Sequence, residues 1–545
     1  MNFIYKVFLI GLIVFLSSCQ NKKNQSDLTE WEVLKEVIDS PYDGYTEQKK
    51  KLFSMHDMID ASRQLREIQI SDPHRPTYHF INPEGWGMPF DPNGSIYWNG
   101  RYHMFYIVHD ERGHIYGHAS SKDLLHWRYH TPALYPRPGD PDKGIYSGNA
   151  FLTKDNKVAM IYHGVNAGNS IAFSDHKDLL YWDKLESNPI IPIPDKGSKE
   201  AELYSSWDPH AWFENDTYYT VFGGQTPALF KAKELDNWEY VGPFFSSDMP
   251  DVQPFEDLSC PDFFKLGNKY AVLSISHDLG ARIYLGDWSE NQFHPESHQR
   301  MNWLGGTVFA PESMLDKDGR RIMWAWVMDR REVLHIRYDH DPPKVGWSGM
   351  LTLPRVLSLD KDGVLNINPV DELKALRTKK RTANFIDLEE GNSKIMSSMS
   401  GNAIEIKAKV NVPQSGIFGM KVLSSGDGQE ETIIKFNTID NTIEFNFANS
   451  SLDTTIKHFG RPMGHDEKIA TNQVAPFELK AGETLDVQIF IDKSIIEVFA
   501  NGRQCVTQRV YPILDNSQGV EVFSEKGGAV VESITTWDIS PTNHW

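Results

Sequence analysis

The pattern of hydrophobic and polar positions divides the chain into three parts. Residues 27–70 repeat apolar positions with helical spacing, and a capping-box pattern of Thr29 and Glu32 precedes the first of them. Residues 73–360 contain short runs of strand-forming residues separated by Gly, Pro, Asn and Asp. Residues 386–545 alternate apolar and polar side chains with a period of two. The pattern predicts an all-β protein with a short helical N-terminal flank, residues 19–72 being tether and flank.

A repeat runs through the middle part. The segments "SSKDLLHW", "SDHKDLLYW", "KAKELDNW" and "YLGDW" end at Trp127, Trp182, Trp238 and Trp288, at intervals of roughly 50 to 56 residues. A unit of this length holds about four strands. We therefore expect residues 73–360 to form a five-bladed β-propeller, the alternative being coincidence among 15 Trp residues.

The last part reads as a separate domain. Segments such as "AIEIKAKV" and "TLDVQIFIDKSIIEVF" alternate apolar and polar residues, and Asn501-Gly502 is typical of a hairpin turn. The pattern predicts a polar linker over residues 361–385 and an antiparallel β-sandwich over residues 386–545.

Charge and composition exclude some classes of partner. The formal net charge of -19 argues against nucleic acid, because a phosphate backbone is bound by Lys and Arg. Aromatic residues make up 12% of the chain, enough for large cores and for rings in a binding cleft. A neutral substrate such as a carbohydrate fits this composition better; oligomeric state stays open.

The N-terminus predicts export. The apolar run "VFLIGLIVFL" is shorter than the roughly 20 residues of a membrane-spanning helix, and "LSSC" after it resembles a bacterial lipoprotein signal. Residues 1–18 would be the signal peptide, Cys19 the lipidated residue and "QNKKNQS" the tether, or the segment would be an uncleaved anchor. Either way we expect an extracytoplasmic protein that meets the membrane only through its anchor.

Cysteine usage predicts neither a disulfide framework nor a metal cofactor. Apart from Cys19, the chain has only Cys260 and Cys505, which are far apart in sequence. No Cys/His cluster has zinc-ligand spacing. We expect no cofactor of any kind.

Carboxyl groups are the candidate chemistry. Asp91 lies in a Pro-Asn-Gly turn, where a turn-capping role is the ordinary interpretation. A propeller brings the inner strands of all blades to one axis, so Asp91, Asp208 and Glu256 could meet there. Hydrolysis of a glycosidic bond needs two such carboxyl groups, one ionised and one protonated.

Ordered motifs across the chain resemble glycoside hydrolase family 32, the family of invertases, levanases and inulinases. The segments are "HFINPEGWGMPFDPNGSIYWNGRYHMFY", "YGHASSKDLLHW", "YSGNA", "SSWDPHAWF", "FEDLSCPDFFKLG", "FAPESMLDKDGRRIMWAWV", "WSGMLTLPRVLSL" and "FIDKSIIEVFANG". The resemblance covers the chain from about residue 76 to the C-terminus. It implies a five-bladed propeller followed by a β-sandwich, a retaining double-displacement mechanism and no metal.

The resemblance also implies roles for single residues. The Asp of the family's Asp-Pro-Asn-Gly motif falls on Asp91, the expected nucleophile, and that of its Arg-Asp-Pro motif falls on Asp208, the expected transition-state stabiliser. The family's Glu-Cys-Pro motif has Ser259 in place of Glu. Glu256 is the expected acid/base if extra residues intervene, and Asp257 is the alternative.

Four positions around the fructosyl ring depart from the family pattern. Phe90 replaces Asn, Ile107 replaces Gln, Tyr116 replaces Trp and Trp207 replaces Arg. Loss of polar donors removes hydrogen bonds that discriminate among hydroxyl groups. The predicted substrate-binding residues are Phe90, Asn93, Ile107, Tyr116, Tyr146, Ser147, Trp207 and Asp257.

Three functions fit these features. The first is a retaining β-fructofuranosidase acting on fructan or sucrose-type substrates. The second is a glycosidase for another furanoside, suggested by the four altered positions. The third is a sugar-binding lipoprotein without catalysis, suggested by the irregular acid/base motif.

Overall fold

The structure is a computed structural model that describes residues 55–82, 90–110, 112–331, 347, 349–462 and 468–543. The signal peptide, Cys19 and the predicted helix before residue 55 lie outside the described residues. Helix α1 (Met55–Ser71) is the described part of the helical flank, and it is mostly exposed, with Gln69 buried. Across the described ranges, no helix is both long enough and apolar enough to cross a membrane.

The middle of the chain folds into five antiparallel sheets, as predicted for a propeller. The first sheet contains β1 (Pro92–Trp98), β2 (Arg101–Asp110), β3 (Gly113–Ser121) and β4 (Trp127–Tyr129). The second contains β5 (Ile145–Leu152), β6 (Val158–Gly164), β7 (Gly168–Ser174), β8 (Asp183–Lys184) and β9 (Ile191–Pro192). The third contains β10 (Pro209–Glu214), β11 (Thr217–Phe222), β12 (Ala228–Ala232) and β13 (Trp238–Pro243).

The remaining two sheets complete the ring. The fourth contains β14 (Ser259–Leu266), β15 (Lys269–Ser276), β16 (Gly280–Ser289) and β17 (Gln292–Arg300). The fifth contains β18 (Val308–Leu315), β19 (Arg321–Val327), β20 (Met350–Leu351), β21 (Arg355–Leu359) and β22 (Leu365–Pro369). Strands β1, β5, β10, β14 and β18 each contact the first strand of the next sheet, and β18 contacts β1, so five inner strands surround one axis.

The Leu-x-x-Trp repeat has a structural basis in three blades. Trp127 and Trp238 begin the outermost strands β4 and β13, and Trp182 directly precedes β8. The indoles of Trp182 and Trp238 donate hydrogen bonds to the carbonyl oxygens of Leu179 and Leu235, at 3.0 and 2.9 Å. Trp288 differs, because it lies near the end of β16, the third strand of its blade.

The C-terminal part is a sandwich of two six-stranded sheets. One is ordered β23 (Arg377–Leu388), β34 (Ala529–Ile539), β25 (Ala403–Asn411), β30 (Leu485–Asp492), β31 (Ile495–Ala500) and β32 (Gln504–Arg509). The other is ordered β24 (Ser393–Ile395), β33 (Gly519–Lys526), β26 (Ile417–Ser424), β27 (Thr432–Asn437), β28 (Thr442–Asn446) and β29 (Asn472–Pro476). Their inward-facing Ile, Val and Phe residues form one apolar core. Asn501 and Gly502 both have positive φ in the β31–β32 turn, as their sequence predicts.

The domain boundary differs from the prediction of a linker over residues 361–385. Strand β22 of the propeller extends to Pro369, a short 3-10 helix covers Asp371–Leu376, and β23 of the sandwich begins at Arg377. Buried polar contacts join the two domains, because Asp329 accepts hydrogen bonds from Arg509 at 3.2 Å and from the Tyr511 hydroxyl at 3.0 Å. The sandwich therefore packs directly on the propeller.

Candidate active site

The candidate site lies where inner strands of the propeller begin. Asp91 directly precedes β1, Asp208 directly precedes β10, and Ser259 and Cys260 open β14. Strands β1, β5 and β14 each have an irregular register near this end. A β-bulge re-aims side chains, and Cys260 has a φ of 47°, which is uncommon for a residue with a side chain. The sequence therefore brings two distant carboxylates and a thiol together at the axis.

Asp91 is buried and held from one side only. Its Oδ2 atom accepts a hydrogen bond from the Ser147 hydroxyl at 3.0 Å and lies 3.7 Å from the Cys260 sulfur. Its Oδ1 atom is buried and has no hydrogen-bond partner among the described residues. Burial, together with the charge of Asp208, raises the pKa of Asp91 to about 7. One carboxylate oxygen thus makes no hydrogen bond within the described residues.

Asp208 lies beside the same thiol. Its Oδ2 atom accepts a hydrogen bond from the backbone N–H of Cys260 at 3.2 Å and lies 3.5 Å from Sγ of Cys260. Burial raises the pKa of Asp208, although the positive charges that His163 and His277 can carry oppose this shift. Burial between the two carboxylates raises the pKa of the Cys260 thiol well above its usual range, so Cys260 is a neutral bridge between them.

The opposite side of the site is a polar chain of four residues, here called the loop network: Trp207, Ser259, Asp257 and His277. The Trp207 indole donates to the Ser259 hydroxyl at 3.0 Å, and Ser259 donates to Asp257 at 2.7 Å. Asp257 also accepts hydrogen bonds from the backbone N–H of His277 at 2.9 Å and from its Nδ1 atom at 2.7 Å.

The loop network holds a charged pair. Burial alone would raise the pKa of Asp257, but the hydrogen bonds from His277 and Ser259 outweigh it and lower that pKa. Burial alone would lower the pKa of His277, but the hydrogen bond to Asp257 and the charges of Asp257, Asp208 and Asp91 raise it. The network therefore favours a carboxylate on Asp257 and an imidazolium on His277.

The structure contradicts the prediction that Glu256 is the acid/base. Its side chain has no exposed surface, and its carboxylate pairs with Arg282 at 2.9 Å and with Arg300 at 2.7 and 2.8 Å. Although burial opposes ionisation, these arginines lower the pKa of Glu256. A carboxylate fixed between two guanidinium groups is ionised and does not reach a ligand. The alternative weighed from the sequence, Asp257, faces the site instead.

A cavity of about 640 Å³ opens next to these groups. Trp207, Asp257 and His277 line one side of it, with Phe255 and Tyr204 as aromatic walls and Glu202 as a further acid. Asp91 and Asp208 do not line the cavity themselves, but the charge of His277, which does line it, acts on both carboxylates. Across the described residues, no three His, Cys, Asp or Glu side chains are arranged to hold a metal ion.

The predicted substrate-binding residues divide into two groups. Ser147 contacts Asp91, and Trp207 and Asp257 line the cavity. Asn93 supports the turn, because its side chain donates to the carbonyl oxygen of Asp91 at 2.9 Å and accepts from the backbone N–H of Gly148 at 2.9 Å.

The prediction that all four altered positions bind substrate is wrong at three of them. Phe90, Ile107 and Tyr116 have no exposed surface, so these side chains pack in the core instead of contacting a sugar. Phe90 packs against Phe80 and Tyr106. The Tyr116 hydroxyl donates to the carbonyl oxygen of Tyr146 at 2.7 Å, and the half-buried Tyr146 ring stacks near His163.

Sequence reasoning missed two members of the site. His277 lies in the turn between β15 and β16 and is joined to Asp257 only by the fold. The family motifs contain carboxylates, and a lone His in "SISHDLG" carries no spacing signal. The sequence assigns no role at the site to Cys260, whose sulfur lies 3.7 Å from Asp91 and 3.5 Å from Asp208.

Comparison with known proteins identifies the family of this chain. The family model described as the glycosyl hydrolases family 32 N-terminal domain matches residues 79–369, and the family 32 C-terminal model matches residues 372–538. A levanase of Bacillus subtilis is 29% identical over 509 residues, covering 85% of this chain and 70% of that protein. A sucrose-6-phosphate hydrolase of Escherichia coli is 28% identical over 526 residues, covering 89% of this chain and 99% of that protein.

Solved structures show the same fold. Fructan 1-exohydrolase IIa from Cichorium intybus superposes with a TM-score of 0.72 at 22% identity, covering 86% of this chain and 98% of that one. The resemblance inferred from the motifs is confirmed, and so are the propeller and the sandwich. Two family models that together span nearly all of the chain after residue 78 show that it belongs to glycosyl hydrolases family 32.

Proposed function

We propose that this glycoside hydrolase cleaves β-fructofuranosidic bonds by double displacement, with Asp91 as nucleophile and Asp208 as transition-state stabiliser. The observation that carries the proposal is the buried carboxylate pair bridged by Cys260, in which Oδ1 of Asp91 is buried and has no partner within the described part of the chain. Ser147 and Cys260 hold the other oxygen of Asp91. These two contacts fix the orientation of the carboxylate and therefore the direction of its attack.

The electrostatics support the division of roles. Asp91 must be ionised to attack the anomeric carbon, and the bond it forms neutralises its buried charge. Asp208 keeps its charge beside the positive charge that develops on the sugar ring. The high pKa of Asp91, about 7, makes its ionised form reactive once a substrate excludes water from the cavity.

The cavity favours a neutral sugar over a sugar phosphate. Its lining includes the acidic residues Glu202, Asp257 and Asp278, and it includes no Lys or Arg among the described residues. The nearby Arg461 pairs with Asp278 at 2.9 Å. A phosphate group would meet these three acids, with the imidazolium of His277 as the one positive charge in the described lining, whereas Trp207, Tyr204 and Phe255 offer faces for an uncharged ring. We therefore propose unphosphorylated fructans or sucrose-type sugars as substrates.

The test is fructose release by the protein from sucrose, inulin and levan, with sucrose 6-phosphate as the charged comparison. We expect release from at least one neutral substrate, a weaker reaction with the phosphate, and no release by Asp91→Asn. Binding of these sugars without turnover would contradict the proposal. A phosphate preference would contradict the proposed substrate class alone.

We also propose that Cys19 carries a lipid anchor outside the cytoplasm. The support is the order of the apolar run, "LSSC" and the polar tether in the sequence. Cys19→Ser should move fructosidase activity from the membrane fraction to the soluble fraction of cells, with Cys505→Ser as the matched control. Activity of Cys19→Ser that stays in the membrane fraction would contradict a lipid anchor.

A further inference from the structure

We propose that His277 is the proton donor to the leaving group, with Asp257 as its positioning residue, so that a His–Asp pair acts where the family motif has Glu. This inference rests on the proposed function, because it concerns the same reaction. It follows from the loop network, in which Ser259 occupies the motif position of that Glu and Trp207 occupies the position of an Arg.

Ser259 cannot supply the proton itself. Its hydroxyl is fully buried, accepts a hydrogen bond from Trp207 and donates its proton to Asp257. An alcohol at this place supports its neighbours and does not titrate near neutral pH. The two departures from the family pattern therefore form one hydrogen-bonded unit that ends at Asp257 and His277.

Asp257 is arranged to accept hydrogen bonds and not to release a proton. Oδ1 accepts the backbone N–H of His277, and Oδ2 accepts both the Ser259 hydroxyl and Nδ1 of His277. Three donors converge on this one carboxylate, which stabilises its ionised form. An acid/base that must start the reaction protonated cannot be this group.

His277 has the opposite arrangement. Nδ1 is fixed by Asp257, while Nε2 has no hydrogen bond within the described residues, and the ring lines the cavity with 47% of its side chain exposed. The pair has the geometry by which a carboxylate orients a histidine for proton transfer.

The surroundings of His277 are anionic. Asp91 and Asp208 act on it from the inner strands, and Glu202 lines the same cavity. Its neighbour Asp278 is paired with Arg461, and the remaining close ring is that of Phe309, at 5.9 Å. These charges favour a bound proton, so the pKa of His277 is raised above its usual 6.5.

The proton balance closes over two steps. When Asp91 forms its bond to the anomeric carbon, the bond from that carbon to the leaving oxygen breaks, and the oxygen takes the proton from Nε2 of His277. Water then attacks the same carbon and gives a proton to Nε2, and the bond to Asp91 breaks to restore its carboxylate. The histidine thus acts first as acid and then as base.

The first test compares leaving groups in His277→Gln. With sucrose, whose leaving oxygen needs a proton, we expect kcat/KM to fall about 10² to 10⁴-fold. With 4-nitrophenyl β-fructofuranoside, which releases a stabilised phenolate, kcat/KM should change by less than about tenfold. Azide should restore kcat on the aryl substrate, because azide attacks without a general base. An equal loss on both substrates, or no loss on sucrose, would overturn the inference.

The second test reads the alkaline limb of the pH profile of kcat/KM with sucrose. His277 must be protonated, so wild-type activity should fall as pH rises through its raised pKa. In Asp257→Asn, loss of the carboxylate lowers the pKa of His277, and the limb should move to lower pH; in His277→Gln it should disappear. If the alkaline limb is unchanged in His277→Gln, another group supplies the proton and the inference is overturned. The same holds if the difference between sucrose and the aryl substrate is seen only in Asp257→Asn.

A matched control separates this role from a structural one. His126 and Asp123 form the same kind of pair, with Nδ1 to Oδ2 at 2.8 Å, on the exposed rim of the first blade. His126→Gln should leave both substrates and the pH profile unchanged. If the wild type is active and His277→Gln has the same activity and pH profile, this inference alone is overturned. If the wild type is inactive on both substrates, both this inference and the proposed function are overturned.

Discussion

The two sides of the site are built differently. Asp91 and Asp208 lie at the starts of inner strands, where neighbouring blades fix the backbone and Cys260 and Ser147 orient the carboxylates. Asp257 and His277 lie on loops before β14 and after β15, and they are joined by side-chain hydrogen bonds. Asp91 and Asp208 match the family motifs, whereas Ser259 and Trp207 of the loop network depart from them.

This difference shows which part of the chemistry the fold constrains. A nucleophile must be placed to within a fraction of an ångström, which inner strands can achieve. A proton can be delivered by any group of suitable pKa within hydrogen-bond reach, so a loop can supply it in more than one way. The following predictions separate the two sides, from the largest expected effect to the smallest.

Asp91→Asn should abolish turnover, with a loss of at least about 10⁴-fold in kcat, because the amide cannot form the covalent intermediate. The variant should nevertheless be more stable. The folded-state pKa of Asp91 is raised from 3.8 to about 7, so its charge destabilises the fold progressively between those pH values and fully above them. Thermal unfolding at pH 8 should show a higher Tm for Asp91→Asn than for the wild type, and the difference should vanish near pH 4. A lower Tm at pH 8 would contradict the buried-charge account.

Asp208→Asn should reduce kcat about 10² to 10³-fold, because the developing positive charge loses its stabilising partner. It should also shift the acidic limb of kcat/KM. On the proposed mechanism this limb belongs to Asp91, whose pKa burial and Asp208 raise to about 7, and removal of the neighbouring charge should move the limb to lower pH. An acidic limb that stays in place would indicate that Asp208 does not act on Asp91.

Glu256→Ala should act on stability and not on chemistry. It leaves Arg282, which is almost fully buried, without its carboxylate, and should lower the free energy of unfolding by about 3 to 5 kcal/mol. Glu296→Ala, which removes an exposed pair with Lys269, is the control and should cost under about 1 kcal/mol. Urea unfolding measures both. A Glu256→Ala protein that folds stably but loses its alkaline limb would instead restore Glu256 as the acid/base.

Ser259→Ala should have the smallest effect, a loss in kcat/KM within about tenfold. Asp257 loses one of three donors but keeps both hydrogen bonds from His277. Sucrose hydrolysis at the pH optimum measures this change. A loss as large as that expected for His277→Gln would mean that Ser259 takes part in the reaction itself.

The sequence was sufficient for the fold and for the meeting of Asp91 and Asp208. The Leu-x-x-Trp turn marks three blades, and in two of them the indole closes the turn onto a carbonyl three residues earlier. The Asp-Pro motifs at Asp91 and Asp208 lie where strands start. The boundary between the domains was less predictable, because β22 and β23 are separated only by a short 3-10 helix.

The loop side was not predictable to the same degree. Glu256 and Asp257 are adjacent and chemically alike, and only the fold turns one toward Arg282 and Arg300 and the other toward His277. Phe90 and Ile107 stand at positions that hold polar groups in the family, yet apolar side chains there pack into the core. The position of a residue within a family motif therefore does not determine whether its side chain is exposed.

The measurement that tests the central claim most directly is the stereochemistry of fructosyl transfer to methanol. A covalent intermediate on Asp91 requires two inversions, so the product should be methyl β-fructofuranoside, identified by NMR before it equilibrates, and Asp91→Asn should give none. Formation of the α-anomer, or transfer at the wild-type rate by Asp91→Asn, would contradict Asp91 as the nucleophile.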